Sequence, residues 1–305
     1  MLDYKEFKDR LRIDLVDYGG ANVFEFTEVT RVNGKAEGII VKCSGTNTHP
    51  VLYLEPLYNK YCQDCDMDKI VELVIAFKDK HPIQDELGDS MIYILKNKEE
   101  VLANVELGIM NYELNADFLS RAPHKRFEDL AVYYCIRKND EFDRDVCYTV
   151  KLTNEALKIS GIEESELWQC AYNNTKYKHQ YKSTPIGDVL FKLFGEIPPV
   201  MPGIDMYVLT NERNIDGAVA ILYPEYFQTL ANIINSDLII IPSSVHELLL
   251  IPIDDRFEMN LFETQMMIEE VNNTTLKNNE ILSYSVYCYK RDTNSVIMVN
   301  EDEEF

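Results

Sequence analysis

No apolar run in the sequence approaches the roughly 20 residues needed to cross a bilayer as a helix, so it offers no spanning segment. It also lacks a G-x-x-x-x-G-K-[ST] loop, a G-x-G-x-x-G turn and a G-x-S-x-G elbow. Without them, backbone cradling of phosphates, dinucleotide binding and an α/β-hydrolase nucleophile have no sequence support. Bases are scarce, 30 Lys and Arg against 52 Asp and Glu, and no stripe of bases interleaved with aromatics occurs. Direct nucleic-acid binding is therefore not expected. Cysteines number seven in 305 residues, an odd count without framework spacing, which argues against a disulfide scaffold from an oxidising compartment. The first residues, MLDYKEFKDRLRIDL, read as a charged amphipathic helix rather than a basic leader with an apolar core. A soluble cytoplasmic protein with no membrane contact is expected.

What is present in excess is negative charge, −22 overall. Such a surface favours solubility and repels nucleic-acid backbones and anionic membranes. It is either a solvated surface or one shaped to occupy a basic groove on a partner protein.

The patterning predicts an α+β fold with mostly antiparallel sheets built from recurring β-hairpin–helix units. Tyr4 to Asp17 reads as a helix with Phe7, Leu11 and Leu15 on one face. Asn33-Gly34 joins two strands as a hairpin, and Ile70, Leu73, Val74 and Phe77 form a helical stripe. His81-Pro82 ends that helix, and Ser90–Leu95 reads as a strand. Phe127–Arg137 and Val146–Leu152 read as a hairpin around KNDEFDRD, followed by helices, of which Glu163–Asn174 carries Trp168 in the core. EIPPVMPG (196–203) reads as a hinge.

The most regular stretch follows. Met206–Leu209 and Ala218–Tyr223 read as a strand pair around NERNIDG. Pro224 opens a helix whose buried face carries Tyr226, Leu230 and Ile233, flanked by Phe227, Ala231 and Ile234. LIII and LLLIP are strands joined by PSSVHE. Next comes a helix with Phe257, Leu261, Ile268 and Val271 inside, then a last hairpin and an acidic tail, 301–304. Three domains are expected: 1–112, 113–200 and 201–305.

The one compact polar knot is Ser243, Ser244, His246 and Glu247. His246-Glu247 starts an HExxH-like run, but position 250 is Leu and the segment patterns as a strand, so two histidines one helical turn apart are missing. A hydrolase could be assembled from Ser243 or Ser244 with His246 and Glu247. Neighbours in one loop seldom reach the required geometry, and the alternative is that the serines satisfy turn backbone groups. Cys62 and Cys65 form a lone CxxC, half of a zinc site without its second half, so no metal and no cofactor is expected. His124, Lys125 and Arg126 form the basic cluster of an acidic chain, either a solvated loop or a contact for an anion or carboxylate.

VNGKAEGIIV, THPVLYLEPLYNKY, PHKRFEDLAVYY and above all MYVLTN, GAVAILYP and DLIIIPSSVHELLLIP together resemble a domain family of unknown function from clostridial Firmicutes. The resemblance covers nearly the whole chain. It implies a bacterial origin, in gut anaerobes and their conjugative or phage-like elements, and no established activity. It further nominates His124, Arg126, Ser243, Ser244, His246 and Glu247 as a shared polar site, with His124, Arg126, His246 and Glu247 as binding residues. The expectation drawn from all of this is a non-enzymatic acidic binding protein that inhibits a host defence or nucleic-acid-binding protein. The alternative is a hydrolase centred on residues 243–247.

Overall fold

A computed structural model describes residues 1–42, 49–80, 85–139, 147–195, 205–253 and 260–300. The chain forms two compact units, Met1–Asn97 and Lys98–Phe305. Both combine helices with antiparallel sheets, an α+β architecture. Among the described residues no helix is long and apolar enough to cross a membrane.

In the first unit, helix α1 (Tyr4–Asp14) opens on a capping box. Asp3 accepts from the Glu6 amide and Glu6 accepts from the Asp3 amide, which satisfies two donors that the first turn leaves open. Its Phe7 and Leu11, with Leu15 just beyond, are buried as their spacing predicts. Strands β1 (Phe24–Arg31), β2 (Gly34–Val41) and β3 (Val51–Tyr53) form an antiparallel sheet in that order. The hairpin turn falls one residue earlier than Asn33-Gly34. Arg31 pairs with Gly34, so Val32 and Asn33 make the turn, with Asn33 left-handed at φ 61°. Asn tolerates that conformation better than most residues. Helices α2 (Leu54–Asp64) and α3 (Met67–Lys80) close the core with Leu54, Tyr61, Ile70 and Val74, while Leu73 is partly exposed. Asp85–Lys96 is helix α4, so the expected strand over 90–95 is corrected. An apolar run that short does not distinguish the two periods. The His81-Pro82 stop lies outside the described residues.

The second unit starts with helix α5 (Lys98–Asn104) and strand β4 (Val105–Asn111), every residue of which is buried. A short helix α6 (Ala116–Leu119) leads to β5 (His124–Phe127), β6 (Leu130–Asn139) and β7 (Cys147–Lys151). β6 is central: β4 lies along one edge, and β5 and β7 share the other, pairing with its first and second halves. Helices α7 (Asn154–Ser160) and α8 (Glu164–Lys178) follow. The Thr175 hydroxyl accepts from the Leu107 amide at 2.7 Å, and the Asn174 side chain donates to the carbonyls of Leu102 and Val105, which fixes α8 on β4.

The other sheet has the order β13-β12-β10-β11-β9-β8, all antiparallel, from β8 (Tyr181–Pro185), β9 (Tyr207–Asn211), β10 (Leu238–Ile241), β11 (Leu248–Pro252), β12 (Tyr287–Lys290) and β13 (Ser295–Met298). Helix α9 (Ile186–Phe194) follows β8. Gly217–Leu222 is a buried 3-10 helix, not the partner strand expected for residues 218–223. α10 (Pro224–Ile234) has its proline in the first turn and buries Phe227 and Ala231. Of the face predicted to be inside, Tyr226 and Leu230 are half-buried and Ile233 is turned outward, 78% exposed. α11 (Leu261–Thr274) likewise buries Ile268 and Asn272, and Val271 is exposed. The buried amide of Asn272 donates to the Ser283 carbonyl. Phe257, the hinge at 196–203 and the acidic tail lie outside the described residues.

Candidate functional site

Polar residues converge in the second unit where β4, β6, the end of α8, and the loop after β9 meet. Glu106 sits in the wholly buried strand β4, its side chain only 5% exposed. A carboxylate taken out of water must be paired. Arg137, from β6, donates to Glu106 Oε2 at 3.1 Å and to the Leu107 carbonyl, and through its other terminal nitrogen to Asp216 Oδ2 at 3.0 Å. His179, the residue that caps α8, lies between two carboxylates, with Nε2 3.0 Å from Glu106 and Nδ1 3.4 Å from Glu212. Lys178 approaches Glu106 Oε1 at 3.4 Å.

Burial by itself would raise the Glu106 pKa. The hydrogen bond from His179 and the charges of Arg137 and Lys178 outweigh it and hold the group near 2. His179 is shifted upward, first by its bond to Glu106, against the opposing effect of burial, and further by Glu212. Glu212 is lowered. Burial opposes that shift, but the Gln180 amide, 2.7 Å from Oε2, and His179 favour the ionised form.

The loop carrying Glu212, Arg213 and Asp216 is built around Asn211. Its side chain accepts from the amides of Arg213 and Ile215 and donates to the Ile215 carbonyl. Asn214 and Asp216 are left-handed at φ 53° and 54°. Left-handed non-glycine residues persist where surrounding bonds over-determine them. Gly217 permits the closure. A Cβ there would stand 2.4 Å from Thr210 Oγ1 and 2.6 Å from the His246 carbonyl. These residues frame a cavity of about 180 Å³, lined by Arg137, Arg213, His179 and Tyr181 with apolar Leu107, Ile215 and Val219.

His246 reaches the outer side of this loop. Its Nδ1 accepts from the Asp216 amide at 3.1 Å, and its carbonyl accepts from Thr210 Oγ1 at 2.8 Å. The serines bond within their own turn. Ser244 Oγ accepts from the His246 amide at 3.0 Å, and Ser243 Oγ lies 3.3 Å from Glu247 Oε1 and 3.4 Å from the Glu247 carbonyl. No bond joins either hydroxyl to the His246 ring among the described residues. His246 and Glu247 lie in the connection between β10 and β11 rather than in a strand.

His124 and Arg126 stand on β5 with other partners. His124 Nδ1 is 2.9 Å from the Ala122 carbonyl and its ring packs on Tyr112. Arg126 lies 4.5 Å over the same tyrosine and donates to the Glu128 carbonyl. Between them, Lys125 stacks 3.9 Å over Trp168, a cation–π contact. The partners of His124 and Arg126 and those of His246 have no residue in common.

In the first unit, Cys62 on α2 is half-buried, and Cys65 is exposed in the left-handed residue that caps the same helix. Among the described residues no group of three or more His, Cys, Asp or Glu side chains is arranged to hold a metal ion.

Of the buried cluster, sequence reasoning reached only His246 at its edge. It missed Glu106, Arg137, His179 and Asp216. Two of these carried a signal: Glu106 is a lone acid inside VELGIM, and Arg137 a lone base ending LAVYYCIR. A charge in a run otherwise fit for burial implies a partner.

A model of a family of unknown function, DUF5688, matches residues 4–291. None of the curated proteins and none of the solved structures matches the chain.

Proposed function

The chain belongs to that family of unknown function, DUF5688, and on this premise we propose that it acts by binding, without turnover, as an acidic protein that occupies a basic groove on a partner protein. The observation that carries this reading is where the few bases go. Lys8 pairs with Glu37, Arg10 with Asp14, Lys42 with Glu25, Lys98 with Glu166, Lys176 with Glu225, and Lys277 with Glu280. Bases tied up in this way do not interrupt the remaining acidic surface of a chain whose net charge is −22. Helix α11 is a concentrated example. Glu263, Glu269 and Glu270 are exposed around Phe262 and Met266, which are 70% and 52% exposed. Apolar anchors within a charged rim are a common interface composition.

The partner class is one with a positively charged groove, such as a nucleic-acid-binding or host-defence protein. The setting is the cytoplasm of a bacterium carrying a mobile element or phage. The hydrolase alternative draws no support from the Ser243–Glu247 turn, where the His246 ring is engaged by a backbone amide and not by a serine hydroxyl.

The test is capture of the partner from a bacterial host by the full-length chain, followed by affinity measurements at two salt concentrations. Complementary charge makes the affinity fall as salt rises. Replacing Glu263, Glu269 and Glu270 together with Gln should flatten that dependence. An affinity indifferent to salt overturns the reading.

A further inference from the structure

The cavity beside the Glu106–Arg137–Asp216 cluster is distinct from any acidic surface and calls for a different ligand. We propose that it binds a small organic anion, a carboxylate carried on an apolar body the size of a single aromatic ring.

Size comes first. A volume of about 180 Å³ is close to that of an apolar cavity of roughly 150 Å³ that takes up benzene. A ring with one carboxylate therefore fits, and a nucleotide does not. Leu107, Ile215 and Val219 supply walls for the apolar body.

Charge comes second. The lining carries Arg137, Arg213 and His179 against the one carboxylate of Asp216, which already accepts from Arg137. Behind the lining, Glu106 is held by Arg137, Lys178 and His179, and Glu212 by the Gln180 amide and His179. The carboxylates here are all committed to partners. The guanidinium of Arg137 makes three bonds within the chain and has five N–H donors to give. In a chain of net charge −22, a concave wall with more cationic than anionic groups favours an anion.

A preset frame comes third, because Asn211 fixes the loop that bears Arg213, Ile215 and Asp216.

The experiment is an amide-resolved NMR titration of the full-length protein with three probes of matched shape: benzoate, benzamide and benzamidine. Benzoate should shift the Ile215, Asp216 and Val219 amides saturably, with the neutral and cationic probes weaker by about tenfold or more. Arg213→Gln should weaken benzoate by about tenfold, the scale of a lost bond to a charged group. Thr149 lines the cavity from an exposed position, so Thr149→Trp should obstruct binding while leaving the melting temperature near that of the parent. The proposal is overturned if benzoate gives no saturable shift, if benzamidine or benzamide binds as tightly, or if folded Thr149→Trp binds benzoate unchanged.

Discussion

Arg137 and Asp216, 79 positions apart in the chain, meet at 3.0 Å and join the end of β6 to the loop that follows β9. The same guanidinium holds Glu106, so one cation ties both sheets of the second unit to a buried carboxylate. Removing one member of a buried pair leaves its partner charged and desolvated, at a cost of roughly 3–5 kcal/mol. Arg137→Met should fall at the lower end, about 3 kcal/mol, because Lys178 and His179 still face Glu106. Asp216→Asn, at a side chain 36% exposed, should cost only about 1 kcal/mol. The double change Arg137→Met with Glu106→Leu should be milder than the sum of its parts. Urea unfolding followed by Trp168, the sole tryptophan and a residue of α8, reads this unit directly.

The same cluster sets a pH window. Glu106 is depressed from an ordinary 4.5 to about 2. Its contribution is thus complete above about pH 4.5 and is lost as the pH falls towards 2. That shift corresponds to roughly 3 kcal/mol. His179 is raised above its ordinary 6.5, so its contribution is complete below about pH 6.5 and is lost as the pH rises through the elevated value. The cluster therefore contributes most between about pH 4.5 and 6.5. Melting curves across pH should show a decline on the alkaline side of this window that His179→Gln abolishes. An alkaline limb unchanged in that variant would place the titrating group elsewhere.

Gly217 is the residue that lets the Asn211 loop close on His246. An added methyl meets the Thr210 hydroxyl and the His246 carbonyl, and a backbone carbonyl cannot rotate out of the way. Gly217→Ala should cost about 1–3 kcal/mol, the range for overpacking a tight site. It should also shift the amide resonances of Asp216, which donates to His246. A folded variant with the parent's melting temperature and unmoved Asp216 would show that the loop relaxes freely.

Local order was readable where one period dominates. Phe7, Leu11 and Leu15 repeat every four residues and are all buried; Pro224 starts its helix; LIII and LLLIP pair as neighbours. Short apolar runs misled, because GAVAIL is as compatible with a buried 3-10 turn as with a strand. On α10 the apolar residues encircle so much of the helix that periodicity gave two faces, and tertiary packing chose Phe227 over Ile233. The buried cluster was out of reach for a different reason. Its bonds span 31, 73 and 79 positions, and no local pattern names a partner so distant. His246 came into view only because it stands in a compact polar knot.

The PSSVHE turn separates three readings of the molecule. Ser244 Oγ accepts from the His246 amide, and Ser243 Oγ faces Glu247, so both hydroxyls serve the turn. Ser243→Ala and Ser244→Ala should each cost on the order of 1 kcal/mol, with the larger loss at buried Ser244. Neither should affect partner binding. A hydrolase reverses this: stability hardly moves, activity vanishes, and His246→Ala is as damaging as either serine change, because such residues act as a unit. A recognition role gives a third pattern. His246 and Glu247 are partly exposed, as is His124, and Arg126 is exposed. If these four face one partner, changing any of them weakens the complex without lowering the melting temperature. Since the intrachain contacts of His124 and Arg126 differ from those of His246, we expect the two blocks to behave independently. His246→Gln should disturb the Asp216 loop by removing the ring acceptor, while Arg126→Gln should forfeit its stacking on Tyr112 and its bond to the Glu128 carbonyl. Melting curves of single variants at these six positions, measured beside one binding assay and one esterase assay, distinguish the three. Loss of esterase turnover in Ser244→Ala at an unchanged melting temperature would establish the hydrolase.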